Sequence, residues 1–166
     1  MDMSFFKNEK LKKIVVLCVF VGICELVGII GAVFTTPSIP TWYATLVKPA
    51  LQPPSWIFGP VWTILYFLMG VAAFLIWERR NTQKGVGVPL VLFGIQLTLN
   101  FVWSFLFFNA HALGLAVAEI AFLWLSIAAC IVTFAKISKP AAALLIPYIL
   151  WVSFASYLNY AIYRLN

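Results

Sequence analysis

The sequence predicts an all-α membrane protein, with five transmembrane helices in a single bundle. Three observations carry that expectation. Hydrophobic residues make up 64% of the 166 residues and charged ones only 10%, and the mean hydropathy is +1.02. A soluble domain of this size has too few polar side chains to cover so much apolar surface, so the bilayer is its natural solvent. The apolar residues also form five runs of the ~20 residues that a spanning helix needs, at Ile14–Phe34, Ile57–Trp77, Val88–Asn109, Ala112–Ala135 and Ala141–Tyr163. These runs consume most of the chain. Residues 1–166 are therefore expected to be one transmembrane domain with no separate soluble unit.

The first run follows Lys7, Lys10, Lys12 and Lys13. A basic start suits a cleaved signal peptide, but the run exceeds the ~7–15 apolar residues typical of one. No small-residue cleavage site precedes Pro37, so a retained helix is expected, ended by Pro37 and Pro40. The loop that follows, residues 35–56, is the longest connection. It holds Trp42, Tyr43 and Trp56 with Pro49, Pro53 and Pro54. Prolines restrict the conformations a loop samples and lower the cost of holding it folded, so it reads as a lid over a cavity, with Trp42 and Tyr43 reaching across the mouth. Pro60 falls in the first turns of the second helix, where its missing N–H costs little. The remaining loops are short, which forces antiparallel neighbours. No internal repeat is visible, so an inverted-repeat transporter is not supported.

Basic residues set the orientation. Nine of the eleven Lys and Arg fall at the N-terminus (Lys7, Lys10, Lys12, Lys13) and in the second and fourth loops (Arg79, Arg80, Lys84, Lys136, Lys139). Lys48 and Arg164 fall on the other side. This split places the N-terminus in the cytoplasm and the lid outside, and explains the net charge of +6 without a nucleic-acid partner. Cys18, Cys24 and Cys130 lie within spans with no CxxC pair, and read as buried structural thiols.

Helical spacing then gathers the polar and aromatic residues into stripes. One helix face carries Gln96, Asn100, Trp103 and Phe107, another Tyr148, Trp151, Ala155 and Asn159, and a third Trp62, Tyr66 and Met69 or Gly70. Amides in mid-membrane are costly unless turned inward to partners or a cavity. The stripes therefore either pack on one another, with amides bonded between helices, or line a site. Buried indoles need a partner for their N–H, which makes Trp a poor filler, and aromatic walls with a few amides suit a large, flat, mostly apolar ligand. Glu25 and Glu119 are intramembrane acids without a basic partner in their spans. They read as protonated groups bridging helices, or as proton or ligand sites. His111 is the single histidine and makes no metal site alone. Small residues (Gly28, Gly31 and Ala32; Gly114, Ala118 and Ala121) mark close helix contacts, within the chain or between copies. Leu158, Tyr160 and Arg164 fit a weak pattern proposed for sterol contact, and fit interfacial anchoring as well. No nucleophile–base pair, phosphate loop or paired carboxylates appear.

Several long segments, in this order, resemble the TspO/MBR family of tryptophan-rich sensory proteins and translocator proteins. They are WYATLVKP, PPSWIFGPVWTILYFLMG, QLTLNFVWSFLFF and PYILWVSFASYLNYAIYR, and the match runs from about Gly28 to the C-terminus. The resemblance implies a five-helix bundle, often a homodimer, whose pocket is closed by the first loop. It also implies binding of porphyrins such as protoporphyrin IX, and in some members of cholesterol and benzodiazepine-site ligands, with no required cofactor. Tyr43 matches the loop tyrosine, Trp62 the tryptophan of the PVW motif, Asn100 the pocket asparagine, and Trp151 with Ala155 the fifth-helix pair. Leu158, Tyr160 and Arg164 match the sterol motif. The implied ligand-binding set is Tyr43, Trp62, Tyr66, Gln96, Asn100, Trp103, Phe107, Tyr148, Trp151 and Ala155. Trp62 and Trp151 would donate electrons if the chain promotes light- and oxygen-dependent porphyrin breakdown, as bacterial relatives are reported to do. A third implied role is a regulator or scaffold modulated by ligand. The chain departs from the family pattern at Lys48–Pro49–Ala50–Leu51, where many relatives carry a Trp, and at Glu119, where animal members carry Asp.

Overall fold

The computed structural model describes residues 3–166, with side chains from Asn8 onward, so Lys7 of the basic N-terminus lies outside the described side chains. Every regular element among the described residues is helical. The order is α1 (Met3–Ser38), a short α2 (Trp42–Thr45), α3 (Phe58–Glu78), α4 (Gly87–Ser104), α5 (Leu113–Ala135), α6 (Lys139–Leu144) and α7 (Ile146–Leu165). Five segments are long and apolar enough to cross a membrane: Asn8–Ser38, Ser55–Asn81, Gly87–Asn109, Leu113–Ala135 and Lys139–Leu165.

The spans close into a ring. α1 packs between α3 and α4, α4 packs on α5, and α5 packs on α6 and α7. α3 completes the circuit against α6. Close approach depends on glycine at one crossing, since a Cβ on Gly70 would stand 2.5 Å from the Val21 Cα. The end of the bundle opposite the lid is fastened electrostatically. Lys13 Nζ lies 2.7 Å from a Glu78 carboxylate oxygen, joining α1 to α3, and the Arg80 guanidinium sits 3.3 Å above the Trp77 ring.

Four local features differ from the sequence expectation. α1 runs on to Ser38 with Pro37 inside it. At the last turn, Pro37 forfeits only the bond its N–H would make to the Val33 carbonyl, so the helix continues past it. The lid is partly helical, because Trp42–Thr45 forms one turn whose end Thr45 closes by donating to the Trp42 carbonyl at 2.7 Å. The third span widens into a π turn at Phe105–Asn109, where Ala110 N–H donates to the Phe105 carbonyl at 2.9 Å. The fifth span breaks at Leu145, between α6 and α7. Pro147 explains that break, since it has no N–H for the preceding turn and crowds the Ala143 carbonyl. Cys24 and Cys130 are buried, but Cys18 is exposed on the outside of the bundle. The buried reading fails for Cys18 because α1 packs along one face only.

Candidate functional site: an aromatic cavity under the lid

Between α1, α3, α4 and α7, below the lid, lies a cavity of about 280 Å³. Its walls follow from helical spacing. α1 contributes Glu25, Gly28, Ala32 and Thr36, and α3 contributes Phe58, Trp62 and Tyr66. Trp103 and Phe107 come from the third span, and Trp151, Ala155, Leu158 and Asn159 from α7. Rings bridge the space between α3 and α7. Phe58 meets Trp151 edge-on at 5.8 Å, and Trp62 meets Tyr148 at 6.2 Å. The glycine on α1 has a specific purpose, since a Cβ at Gly28 would stand 2.5 Å from the Tyr66 ring. Its absence lets that ring lie against α1.

The lid is fastened at three places. Tyr43 is buried beneath it and packs on Phe107 and Phe108, with ring centroids 6.1 and 5.7 Å away. Burial raises the Tyr43 phenol above its ordinary pKa, and the Gln52 side chain pulls weakly the other way. Trp42 stacks flat on His111, 4.0 Å between centroids and 13° between planes, with His111 in the left-handed region at φ 51°. At the chain's end, Asn166 pairs with the Val47 backbone in both directions. Its Oδ1 accepts from Val47 N–H at 2.9 Å and its Nδ2 donates to the Val47 carbonyl at 3.0 Å. Ser38 also donates to the Phe108 carbonyl at 2.6 Å, tying the end of α1 to the π turn.

The expected site residues divide into two groups. Tyr43, Trp62, Tyr66, Trp103, Phe107, Trp151 and Ala155 line the cavity. Gln96, Asn100 and Tyr148 do not. They form the packed floor beneath it, each at most 2% exposed. Tyr66 donates its hydroxyl to Asn100 Oδ1, and Asn100 Nδ2 donates to the Tyr148 hydroxyl at 2.9 Å. Gln96 donates weakly to the Met69 sulfur at 3.8 Å. Both amides lie on the expected face of their helix, but in the floor Asn100 is bonded to the two phenols, while Gln96 keeps a buried Oε1 without a partner.

The indoles differ among themselves. Trp103 Nε1 donates to Asn159 Oδ1 at 2.9 Å and is fixed by it. Trp151 Nε1 is buried without any partner, a donor that the chain itself leaves unused. Trp42 stays outside the cavity, which corrects the expectation that it crosses the mouth alongside Tyr43. The partner that holds it there, His111, stands at the tight turn before α5. Trp56 is 73% exposed and contributes nothing to the wall.

Glu25 lines the cavity, whereas Glu119 is buried with both oxygens unbonded. Glu119 therefore makes no hydrogen-bonded bridge between helices. Leu158 lines the cavity, but Tyr160 and Arg164 are exposed, so the three motif residues do not share one surface. The sequence stripes missed Phe58, Ser104 and Phe108, and treated the Gly28–Ala32 face as packing alone. The spacing of four from Gly28 through Ala32 to Thr36 was the available signal for that wall.

Comparison with known proteins agrees across nearly the whole length. Residues 20–164 match the model of the TspO/MBR family. The tryptophan-rich protein TspO of Chlorobaculum tepidum is 44% identical over 155 residues, covering 93% of this chain and 98% of that one. The translocator protein of Bos taurus is 39% identical over 143 residues, 86% of this chain and 85% of that one. The tryptophan-rich sensory protein of Cereibacter sphaeroides is 37% identical over 125 residues, 75% of this chain and 77% of that one.

Proposed function

The chain belongs to the TspO/MBR family of membrane proteins, and from that premise we propose that it is a receptor or carrier for tetrapyrroles of the protoporphyrin IX type. The observation that carries this reading is the cavity wall. Three indoles from three spans face one space, and one of them keeps an unpaired N–H. Aromatic faces supply stacking area to a flat apolar ligand, and a few polar groups fix its position.

The test is a titration of purified protein with protoporphyrin IX, read by quenching of tryptophan fluorescence. Trp151→Ala removes the ring and its free donor together, and is expected to weaken binding at least tenfold, about 1.4 kcal/mol. Unchanged affinity in both Trp62→Ala and Trp151→Ala overturns the reading.

The same proposal covers orientation and surroundings. The N-terminus faces the cytoplasm of a microbial cell, on the strength of the nine basic residues at that end of the helices. Sterol binding and homodimer formation rest on family resemblance. A regulatory reading, in which ligand acts by shifting the protein's state, is favoured by the tie between the lid and the residue that follows α7, Asn166 to Val47. A ligand that alters co-purifying proteins without itself moving across the membrane distinguishes that role from carriage.

A further inference from the structure

We propose that the cavity holds its ligand in one orientation, with carboxylates at the lid beside Lys48 and the carboxylate-free edge at the inner end beside Glu25. The inference rests on the tetrapyrrole reading and adds a direction to it.

An acid and a base mark the two ends of the site. Glu25 is the one acid, and there is no base, among the residues lining the cavity. It stands eleven residues before Thr36 on the same helix, which puts it about 16 Å deeper at 1.5 Å per residue. At that depth Gly28 meets the ring of Tyr66, so Glu25 belongs to the end near the floor. At the opposite end, Lys48 is held in place on the lid. Its ammonium donates to the Leu46 carbonyl at 3.2 Å and the Ala44 carbonyl at 3.4 Å, and lies 4.9 Å over the ring of Tyr43, itself a cavity residue.

A ligand carboxylate pushed to the inner end would have to lose its water in mid-membrane and would find no cation there, which is unfavourable. The same carboxylate at the lid meets a cation near the membrane surface, where water remains accessible. Both effects point the same way. They turn an apolar slot into one that distinguishes the two edges of an amphipathic macrocycle, and they make Lys48 a specificity-determining residue.

The experiment compares protoporphyrin IX with its dimethyl ester, which keeps the ring and removes both charges. Lys48→Gln is expected to weaken the free acid about fivefold, the scale of a partly exposed ion pair, and to leave the ester within about twofold. Arg164→Gln, which removes the other cation at the lid end, is expected to leave the free acid within about twofold. On the unaltered protein, raising salt from about 0.05 to about 0.5 M should weaken the free acid and not the ester, because screening acts on the exposed charge. This last arm needs no variant that might misfold. The orientation is overturned if Lys48→Gln affects acid and ester alike, or if salt does not distinguish them. Failure of the unaltered protein to bind either probe overturns the tetrapyrrole reading itself.

Discussion

An aromatic–amide column runs down the middle of the bundle, and its two halves differ in whether their polar groups are satisfied. The inner half is Tyr66, Asn100 and Tyr148, a chain of hydroxyl to amide to hydroxyl joining α3, α4 and α7. The outer half is Trp62, Trp103 and Trp151 around open space, with one indole bonded to Asn159 and another bonded to nothing. Residue type alone does not separate them, since both mix large rings with amides on the same helix faces. The difference is partnering. Where three spans converge, Tyr66, Asn100 and Tyr148 each find a mate and the stripe becomes structure. Where α3 and α7 are bridged only by rings, donors are left over and the stripe becomes a site.

The largest expected effect tests the inner half. Asn100→Ala strands two buried phenols and opens a small void. An unsatisfied buried group costs about 1–3 kcal/mol, although interhelical hydrogen bonds in membranes average nearer ~0.6 kcal/mol. A loss of about 2 kcal/mol is expected, seen as a lower melting temperature in detergent. Trp151→Phe is the outer counterpart. It deletes an N–H that bonds to nothing in the chain, and should leave the melting temperature unchanged. If both variants melt at the same lowered temperature, the division between structure and site fails.

Tyr66 belongs to both halves, because its ring lines the cavity while its hydroxyl starts the floor chain. Gly28→Ala presses on that ring from α1, with the new Cβ only 2.5 Å from it. Overpacking of this kind costs about 1–3 kcal/mol. We expect the lower part of that range, because the ring, unlike a backbone atom, can tilt. The same tilt disturbs the cavity wall, so stability and protoporphyrin affinity should fall together. A melt that drops while affinity holds would show the two halves to be mechanically independent.

How much of this was legible before the structure follows the same line. Five spans, their approximate limits and the inward faces come from composition and period, which report burial. Gln96, Asn100 and Tyr148 were placed on the correct faces, yet one helix's spacing says nothing about depth across three helices. Whether an amide meets a ligand or a neighbour depends on that depth. The helical turn at Trp42–Thr45 and the π turn at Phe105–Asn109 left no periodic trace, because each is about one turn long. The break at Leu145 did have a signal in Pro147. On α1, Gly28, Gly31 and Ala32 read as packing, since small residues equally serve close contact and an open wall.

The smallest expected effect concerns the lid, which joins the outer half to the end of the chain. Asn166 holds Val47 by two hydrogen bonds at an exposed position. Bonds of this kind contribute about 0.5–1.5 kcal/mol when buried and less where water competes, so Asn166→Ala should weaken lid closure by about 1 kcal/mol. The floor chain lies at the other end of α7, so the melting temperature should stay within error. Closure is needed to hold a ligand already inside, and its loss should appear as faster release. About a fivefold rise in the dissociation rate of protoporphyrin IX corresponds to that energy, and stopped-flow recovery of tryptophan fluorescence would measure it. An unchanged rate would mean that Tyr43 on Phe107 and Trp42 on His111 hold the lid without help from the C-terminus, and that ligand passes the cavity mouth without lifting the Val47 segment.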